Sequence, residues 1–76
     1  MAEPKINLVR LGDNIKHARR LTGLDYAPAA EKACISVQTL FKLEEARTPN
    51  PTLQTLVNIA GGFGVCLEQL VQGVDS

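Results

Sequence analysis

Apolar residues recur along the chain at steps of three and four positions, which is the period of a helix with one buried face. Between residues 8 and 21, polar and basic residues fill the intervening positions, and this predicts an amphipathic first helix that ends at Gly23. The apolar positions of this helix are Leu8, Leu11, Ile15 and Ala18. No segment alternates with period two for long enough to predict a strand. The pattern therefore predicts an all-α fold.

A second and a third helix follow from residues that favour helix starts. Asp25 is placed to cap a second helix. Pro28 is tolerated in its first turn because the N–H groups of that turn have no carbonyl within the helix to bond to. Alanines give this helix a small apolar face. Ser36 is placed to cap a third helix over about residues 37–45, where Leu40 and Leu43 repeat at helical spacing.

The remaining segments predict two more helices and the domain boundaries. A fourth helix starts at Asn50 or Thr52 and is broken by the glycines at 61, 62 and 64, and a short fifth helix carries Leu67, Leu70 and Val71. We expect a flexible N-terminal arm over residues 1–7, one domain over residues 8–72, and a C-terminal tail over residues 73–76.

The length and composition favour one small domain without membrane segments. A chain of 76 residues with 45% hydrophobic residues supports one core of only a few kcal/mol, so a dimer is expected. The apolar runs are far shorter than the roughly 20 residues that span a bilayer, and residues 1–4 do not resemble a secretion signal. We therefore expect a cytoplasmic protein.

The reactive side chains do not form a metal or catalytic set. Cys34, Cys66 and His17 are too few, at the wrong spacing, for a disulfide framework or a zinc site. Free, mostly buried thiols are expected. Ser36 is committed to a cap, and His17 has no nucleophile to activate. We therefore predict no metal, no cofactor and no enzymatic activity.

The charge is balanced overall but not along the chain. Eight Lys and Arg residues offset eight Asp and Glu residues, and a neutral chain is unusual for a nucleic-acid binder. The basic residues concentrate in the N-terminal third, as Lys5, Arg10, Lys16, Arg19 and Arg20. This distribution leaves nucleic-acid binding open.

Residues 29–40 resemble the helix-turn-helix of the phage repressor and Cro family. Further pieces match that family in order and spacing, and the similarity spans residues 8–72. These pieces are Leu11-Gly12-Asp13-Asn14-Ile15, Gly23-Leu24, Leu43-Glu44, Pro51-Thr52-Leu53-Gln54-Thr55-Leu56, Ile59-Ala60 and Phe63-Gly64-Val65. The resemblance implies a five-helix, lambda-repressor-like DNA-binding domain.

The resemblance also implies which residues meet DNA. In this family the third helix lies in the major groove, and the matching base-reading positions here are Val37, Gln38, Phe41 and Lys42. Gln38 is the leading candidate because an amide can pair with adenine in a bidentate manner. Lys42 is a candidate for guanine or phosphate, or else a solvated charge. Val37 and Phe41 are suited to thymine methyl groups or to a protein partner.

Other matching positions imply support and phosphate contacts. Arg19 and Glu44 correspond to a buried ion pair between the first and third helices. The resemblance implies phosphate contacts by the Tyr26 hydroxyl, by Arg47 and by the backbone N–H groups around Thr48 and Asn50. The alternative for residues 47–50 is an ordinary exposed turn. Three positions depart from the family pattern: Tyr26, preceded by Asp25, replaces a phosphate-clamping Gln, while Cys34 and Ala46 replace glycines. At position 34 a left-handed backbone would cost roughly 1 kcal/mol for the β-carbon.

The C-terminal end suggests how two copies would meet. Apolar residues there exceed the needs of one short closing helix, which predicts a twofold homodimer through this end. These residues are Val65, Leu67, Leu70, Val71 and Val74.

Together these features predict a sequence-specific regulator of transcription that binds double-stranded DNA as a homodimer on a palindromic operator. The alternative is a protein-interaction module of the same fold, such as an antitoxin-like partner-binding protein. Zero net charge, Asp25 at the clamp and the apolar pair Val37 and Phe41 motivate this alternative. No small-molecule ligand domain is expected.

Overall fold

Five helices make up the described part of the chain, which covers residues 6–48 and 50–75 of the computed structural model. They are α1 (Leu8–Thr22), α2 (Tyr26–Lys32), α3 (Val37–Glu44), α4 (Leu53–Phe63) and α5 (Leu67–Val71). No residue in those two ranges forms a strand, so the predicted all-α fold is confirmed. Lys5, Ser76 and most of the expected arm at residues 1–7 lie outside the described residues.

The ends of α1 follow the local chemistry of the sequence. The Asn7 side chain accepts a hydrogen bond from the Arg10 N–H at 3.0 Å and so caps the first turn. Gly23 ends the helix in a left-handed conformation with φ of 75°, as predicted. The Asn7 N–H also donates to the Val74 carbonyl at 2.7 Å, which ties the start of α1 to the C-terminal end of the chain.

The caps of α2 and α3 were predicted with mixed success. Asp25 occupies the N-cap position of α2, as predicted, but its side chain makes no capping hydrogen bond. Ser36 does cap α3, because its hydroxyl accepts from the Thr39 N–H at 3.0 Å. Between the two helices, Cys34 has a left-handed φ of 57°, the conformation that the family resemblance implied for this position.

The glycines near the end of α4 do not break it where the sequence suggested. Thr52 caps the helix through the Thr55 N–H, and Gly61 and Gly62 continue it to Phe63. A β-carbon at Gly62 would lie 2.7 Å from the Ala33 Cα, whereas one at Gly61 would meet no atom within 4 Å. Gly62 therefore permits close packing of α4 against the end of α2. Only Gly64, with φ of 70°, ends the helix.

One apolar core lies between the helices, and it includes the C-terminal end. Leu70 is fully buried and Val74 nearly so, while Val65 and Leu67 pack partly buried against the same core. This corrects the assignment of Leu70 and Val74 to a dimer surface, because their side chains are used inside one copy. The core residues are Leu11, Ile15, Ala18, Ala29, Ala30, Ala33, Leu40, Leu43, Leu56, Ile59, Ala60, Phe63, Leu70 and Val74.

Packing also continues past the expected domain end at residue 72. The Asn14 side-chain amide donates to the carbonyls of Leu70 and Gln72, both at 2.9 Å, and closes the end of α5 against α1. These bonds satisfy carbonyls that a helix end leaves without partners. Buried Val74 thus places part of the expected tail, residues 73–76, in the packed body.

The two cysteines contradict the expectation of buried thiols. Cys34 and Cys66 are both free, as predicted, but both are exposed. Cys34 lies in the turn between α2 and α3, and Cys66 stands at the N-cap position of α5. Both positions lie at helix ends and not on the buried faces of the helices.

Within the described residues, no helix combines the length and the apolar character needed to cross a bilayer.

Candidate nucleic-acid interface

The outer face of α3 carries all four residues that the resemblance assigned to base reading. Leu40 and Leu43 point into the core, while Val37, Gln38, Phe41 and Lys42 are exposed. The split follows from the helical period, since residues three and four apart share a face. The eight-residue helix thus offers one amide, one cation and two apolar side chains to solvent.

Close packing against α1 and α2 supports α3 from behind. A β-carbon at Gly12 of α1 would lie 2.7 Å from the Glu44 carbonyl oxygen and 2.8 Å from that of Leu43. Only glycine lets α1 approach the C-terminal end of α3 this closely. The buried face of α3 is therefore closely packed against α1, and its outer face is left exposed.

A buried ion pair joins α1 to the same end of α3. The Arg19 guanidinium donates from Nε to Glu44 Oε2 at 2.7 Å and from Nη2 to Oε1 at 3.1 Å, which is a bidentate arrangement. Its third nitrogen donates to the Leu24 carbonyl at 3.1 Å. The hydrogen bond to Glu44 raises the pKa of Arg19, against the opposing effect of burial. The guanidinium is therefore held in its charged form.

An aromatic cluster, formed by Tyr26 and Phe41, bridges α2 and α3 beside this pair. Their ring centroids are 5.7 Å apart with an interplanar angle of 66°, an edge-to-face contact. The Arg19 guanidinium carbon lies 4.2 Å from the Tyr26 ring centroid, and that of Arg47 lies 5.9 Å from the Phe41 centroid. Both distances fall within the range of cation–π attraction. The cluster thus connects the buried ion pair to an exposed cation.

The turn after α3 fixes the backbone of the residues expected to face phosphate. Ala46 has a left-handed φ of 59°, and its N–H donates to the Leu43 carbonyl at 3.2 Å. The Arg47 N–H donates to the Lys42 carbonyl at 2.8 Å. These two bonds form a Schellman motif, which ends the helix in a defined geometry. Beyond it, Thr48 is half-buried and Asn50 is exposed.

The basic residues of the N-terminal third do not form one free patch. Arg19 is buried in its pair with Glu44, and Lys16 Nζ lies 3.6 Å from a carboxylate oxygen of Glu45. Arg10 and Arg20 remain exposed on α1, whereas Lys42 and Arg47 are the exposed cations on and just after α3. The surface around α3 therefore carries little positive charge in the described residues.

The sequence does not display the contacts among these side chains. The resemblance implied separate roles for Tyr26, Phe41 and Arg47, but the structure brings the three together. Residues 26 and 41 meet only because α2 packs across α3, and no spacing along the chain indicates that contact. The left-handed turn at Ala46 was the one local signal that Arg47 would be held near the end of α3.

Two comparisons with known proteins agree with this geometry. A family model described as helix-turn-helix matches residues 15–70. The HTH-type transcriptional regulator DdrOP3 of Deinococcus deserti is 36% identical over 67 residues, which are 88% of this chain and 51% of that protein. The chain thus spans about half the length of this relative.

Proposed function

The chain belongs to the helix-turn-helix family, and on that premise we propose that it is a sequence-specific DNA-binding regulator of transcription that reads the major groove with α3. The observation that carries the proposal is the exposed outer face of α3, with Gln38 and Lys42 on a helix whose other face is buried. The name of the DdrOP3 relative agrees with this role. A DNA target in turn implies a cytoplasmic location.

Base reading is assigned to the first turns of α3. The Gln38 amide nitrogen donates to adenine N7 while its oxygen accepts from the N6 amino group, and the two contacts together distinguish adenine from the other bases. Lys42, one turn further, donates to guanine or to a phosphate. Val37 offers a methyl surface for thymine. All three side chains are exposed, so no core contact must break for them to enter a groove.

Phosphate contacts are assigned to the two flanks of α3. Tyr26 offers its hydroxyl from the start of α2, and Arg47 offers a full positive charge after α3. Thr48 and Asn50 add polar groups in the following turn, at positions where relatives grip phosphate. Such contacts fix the register of a protein on the duplex without reading its sequence. Since Asp25 adjoins Tyr26, we assign most of the electrostatic attraction to Arg47.

A homodimer on a palindromic operator remains part of the proposal, with a smaller C-terminal contact than the sequence suggested. Leu70 is fully buried, so the contact would use exposed Val71 and the visible edges of Val65 and Leu67. In a twofold dimer the two copies of α3 would lie about 34 Å apart, which is one turn of duplex.

The alternative function is a protein-interaction module of the same fold. Its contact patch would be Val37 and Phe41, which are both exposed. The Phe41 ring already contacts the Tyr26 ring edge-to-face, so the apolar surface that the pair leaves free is small.

Titrations of a selected duplex and a scrambled duplex at two salt concentrations test the proposal. Gln38→Ala should weaken binding to the selected duplex by about 1 to 3 kcal/mol and leave the scrambled duplex nearly unchanged. Arg47→Ala should weaken both and lower the slope of log affinity against log salt by about one unit per site. Gln72→Ala is the matched control, since it removes an exposed amide outside α3 and its flanking turn.

The wild-type protein should itself show a shallow salt slope and weak non-specific binding, because few cations lie near α3. Equal binding of both duplexes, or binding of neither at low salt, would contradict the proposal and favour the protein-interaction alternative. An equal effect of Gln38→Ala and Gln72→Ala would contradict the assignment of Gln38.

A further inference from the structure

Phe41 lies between the two residues that flank α3 on its expected phosphate side. Its ring meets the Tyr26 ring edge-to-face at 5.7 Å, and the Arg47 guanidinium carbon lies 5.9 Å from its centroid. Phe41 is 39% exposed on the outward face of α3. Its ring is therefore open to solvent on one side, while its other contacts are with Tyr26 and Arg47.

The other contacts of this group reach the core. The Arg19 guanidinium carbon lies 4.2 Å from the Tyr26 ring centroid, and Arg19 is fixed by its two hydrogen bonds to Glu44. Glu44 belongs to α3, as does Phe41. The contacts therefore form a closed loop from α1 through α2 to α3, and the Phe41 ring is braced against a buried ion pair.

Arg47 is restrained at both ends. Its N–H donates to the Lys42 carbonyl at 2.8 Å, which fixes the start of the side chain, and the Phe41 ring lies under its guanidinium. A long cationic side chain otherwise loses rotamer entropy when it binds a phosphate. Holding it in place before binding removes part of that cost.

We propose that Phe41 is a positioning residue that presents Arg47 to the DNA backbone, and that it does not read bases. The inference rests on the proposed function and assigns Phe41 a role different from its neighbours Gln38 and Lys42. The Tyr26 ring is also held by the Arg19 guanidinium, 4.2 Å from its centroid, and so does not depend on Phe41 for its place. Phe41 then acts on affinity through Arg47, so its effect must disappear when Arg47 is removed.

A double-mutant cycle with a conservative rescue tests this role. Phe41→Leu, Arg47→Ala and the double variant are titrated against a selected and a scrambled duplex, well below the melting temperature of each variant. Phe41→Leu should weaken binding to both duplexes about two- to fivefold, the range expected for an exposed cation–π contact. In the Arg47→Ala background the same substitution should have no further effect. Phe41→Tyr keeps a ring and should retain wild-type affinity.

An NMR measurement without DNA supplies the second readout. The side-chain resonances of Arg47 should be shifted upfield by the Phe41 ring, should move toward random-coil positions in Phe41→Leu, and should stay in place in Phe41→Tyr. Resonances that do not respond to Phe41→Leu would overturn the inference. So would an undiminished effect of Phe41→Leu in the Arg47→Ala background, or an effect confined to the selected duplex, which would make Phe41 a base reader.

The outcomes also separate this inference from the proposed function. DNA binding by the wild-type protein without coupling between Phe41 and Arg47 overturns the inference and leaves the function standing. If the Arg47 resonances are ring-shifted but the protein binds neither duplex at low salt, the Phe41–Arg47 contact exists and the proposed function is overturned. The role of Phe41 toward DNA is then overturned as well.

Discussion

Removing Glu44 should destabilise the protein far more than removing its neighbour Glu45. The Glu44 carboxylate is fully buried and accepts two hydrogen bonds from Arg19, so Glu44→Ala leaves a buried guanidinium without its counter-charge. Breaking a buried pair on one side costs about 3 to 5 kcal/mol. A chain of 76 residues has a total stability of roughly 4 to 11 kcal/mol, so this loss is a large part of the whole.

Glu45→Ala is the matched control because it removes the same type of side chain at the adjacent position. Glu45 is exposed and lies 3.6 Å from Lys16, a geometry for which we expect at most about 1 kcal/mol. In thermal melts, Glu44→Ala should lower the Tm by roughly 12 to 40 °C, whereas Glu45→Ala should lower it by only a few degrees. Urea melts would give the corresponding free energies of unfolding.

The double variant Arg19→Met with Glu44→Leu distinguishes an unpaired charge from a simple loss of packing. Replacing both partners of a buried pair by apolar residues is often neutral, so the double variant should be more stable than Glu44→Ala. The pKa of Arg19 is higher in the folded protein than in the unfolded chain. Its contribution to the free energy of unfolding is therefore fully present below the pKa of an unfolded arginine, and it is lost only as the pH rises through the higher folded pKa. The part of the stability loss in Glu44→Ala that comes from Arg19 should therefore be the same between about pH 6 and pH 9. Equal melting temperatures of Glu44→Ala and Glu45→Ala would show that the buried Arg19–Glu44 pair does not stabilise the fold.

Three further outcomes follow from the structure. Gly61→Ala should raise the free energy of unfolding by about 0.5 to 1 kcal/mol in urea melts. Gly62→Ala should lower it, because a β-carbon there meets the Ala33 backbone at 2.7 Å. Equal effects of the two substitutions would contradict the α2–α4 contact. Cys34→Gly should be more stable than Cys34→Ala by about 1 kcal/mol, since only glycine avoids the left-handed penalty at φ of 57°, and equal stability of the two would refute that strain. Sedimentation should show a homodimer that Val71→Glu weakens, and a monomer at high micromolar concentration with and without DNA would rule the dimer out.

Local signals in the sequence were sufficient for most of the helices. The apolar period and the residues Ser36 and Gly23 define α3 and the end of α1, because a capping hydroxyl and a left-handed glycine act within a few residues. The end of α4 was wrong because two glycines looked like breakers. Gly62 serves close packing against Ala33, and burial of the apolar face of α4 outweighs the weak helix propensity of glycine.

The burial of particular residues depended on tertiary packing that the sequence does not display. Leu70 and Val74 looked surplus to one core, but α5 turns both into it. Cys34 was expected inside on the general tendency of cysteine, yet it occupies a turn that leaves its side chain exposed.

Part of the candidate site could likewise be predicted from local sequence, and part depends on tertiary packing. Helical period alone places Gln38 and Lys42 on the outer face of α3. The contact of Phe41 with Tyr26 and Arg47 requires the packing of α2 against α3 and the turn at Ala46, so it could be seen only in three dimensions.

Selection of bound duplexes from a random pool shows whether the protein distinguishes DNA sequences at all. We expect enrichment of one motif, with two inverted half-sites centred about one turn of duplex apart. The same selection with Gln38→Ala should lose preference at one base pair of each half-site and keep the rest of the motif. A pool that remains random after repeated rounds with the wild-type protein would contradict the claim that α3 reads DNA.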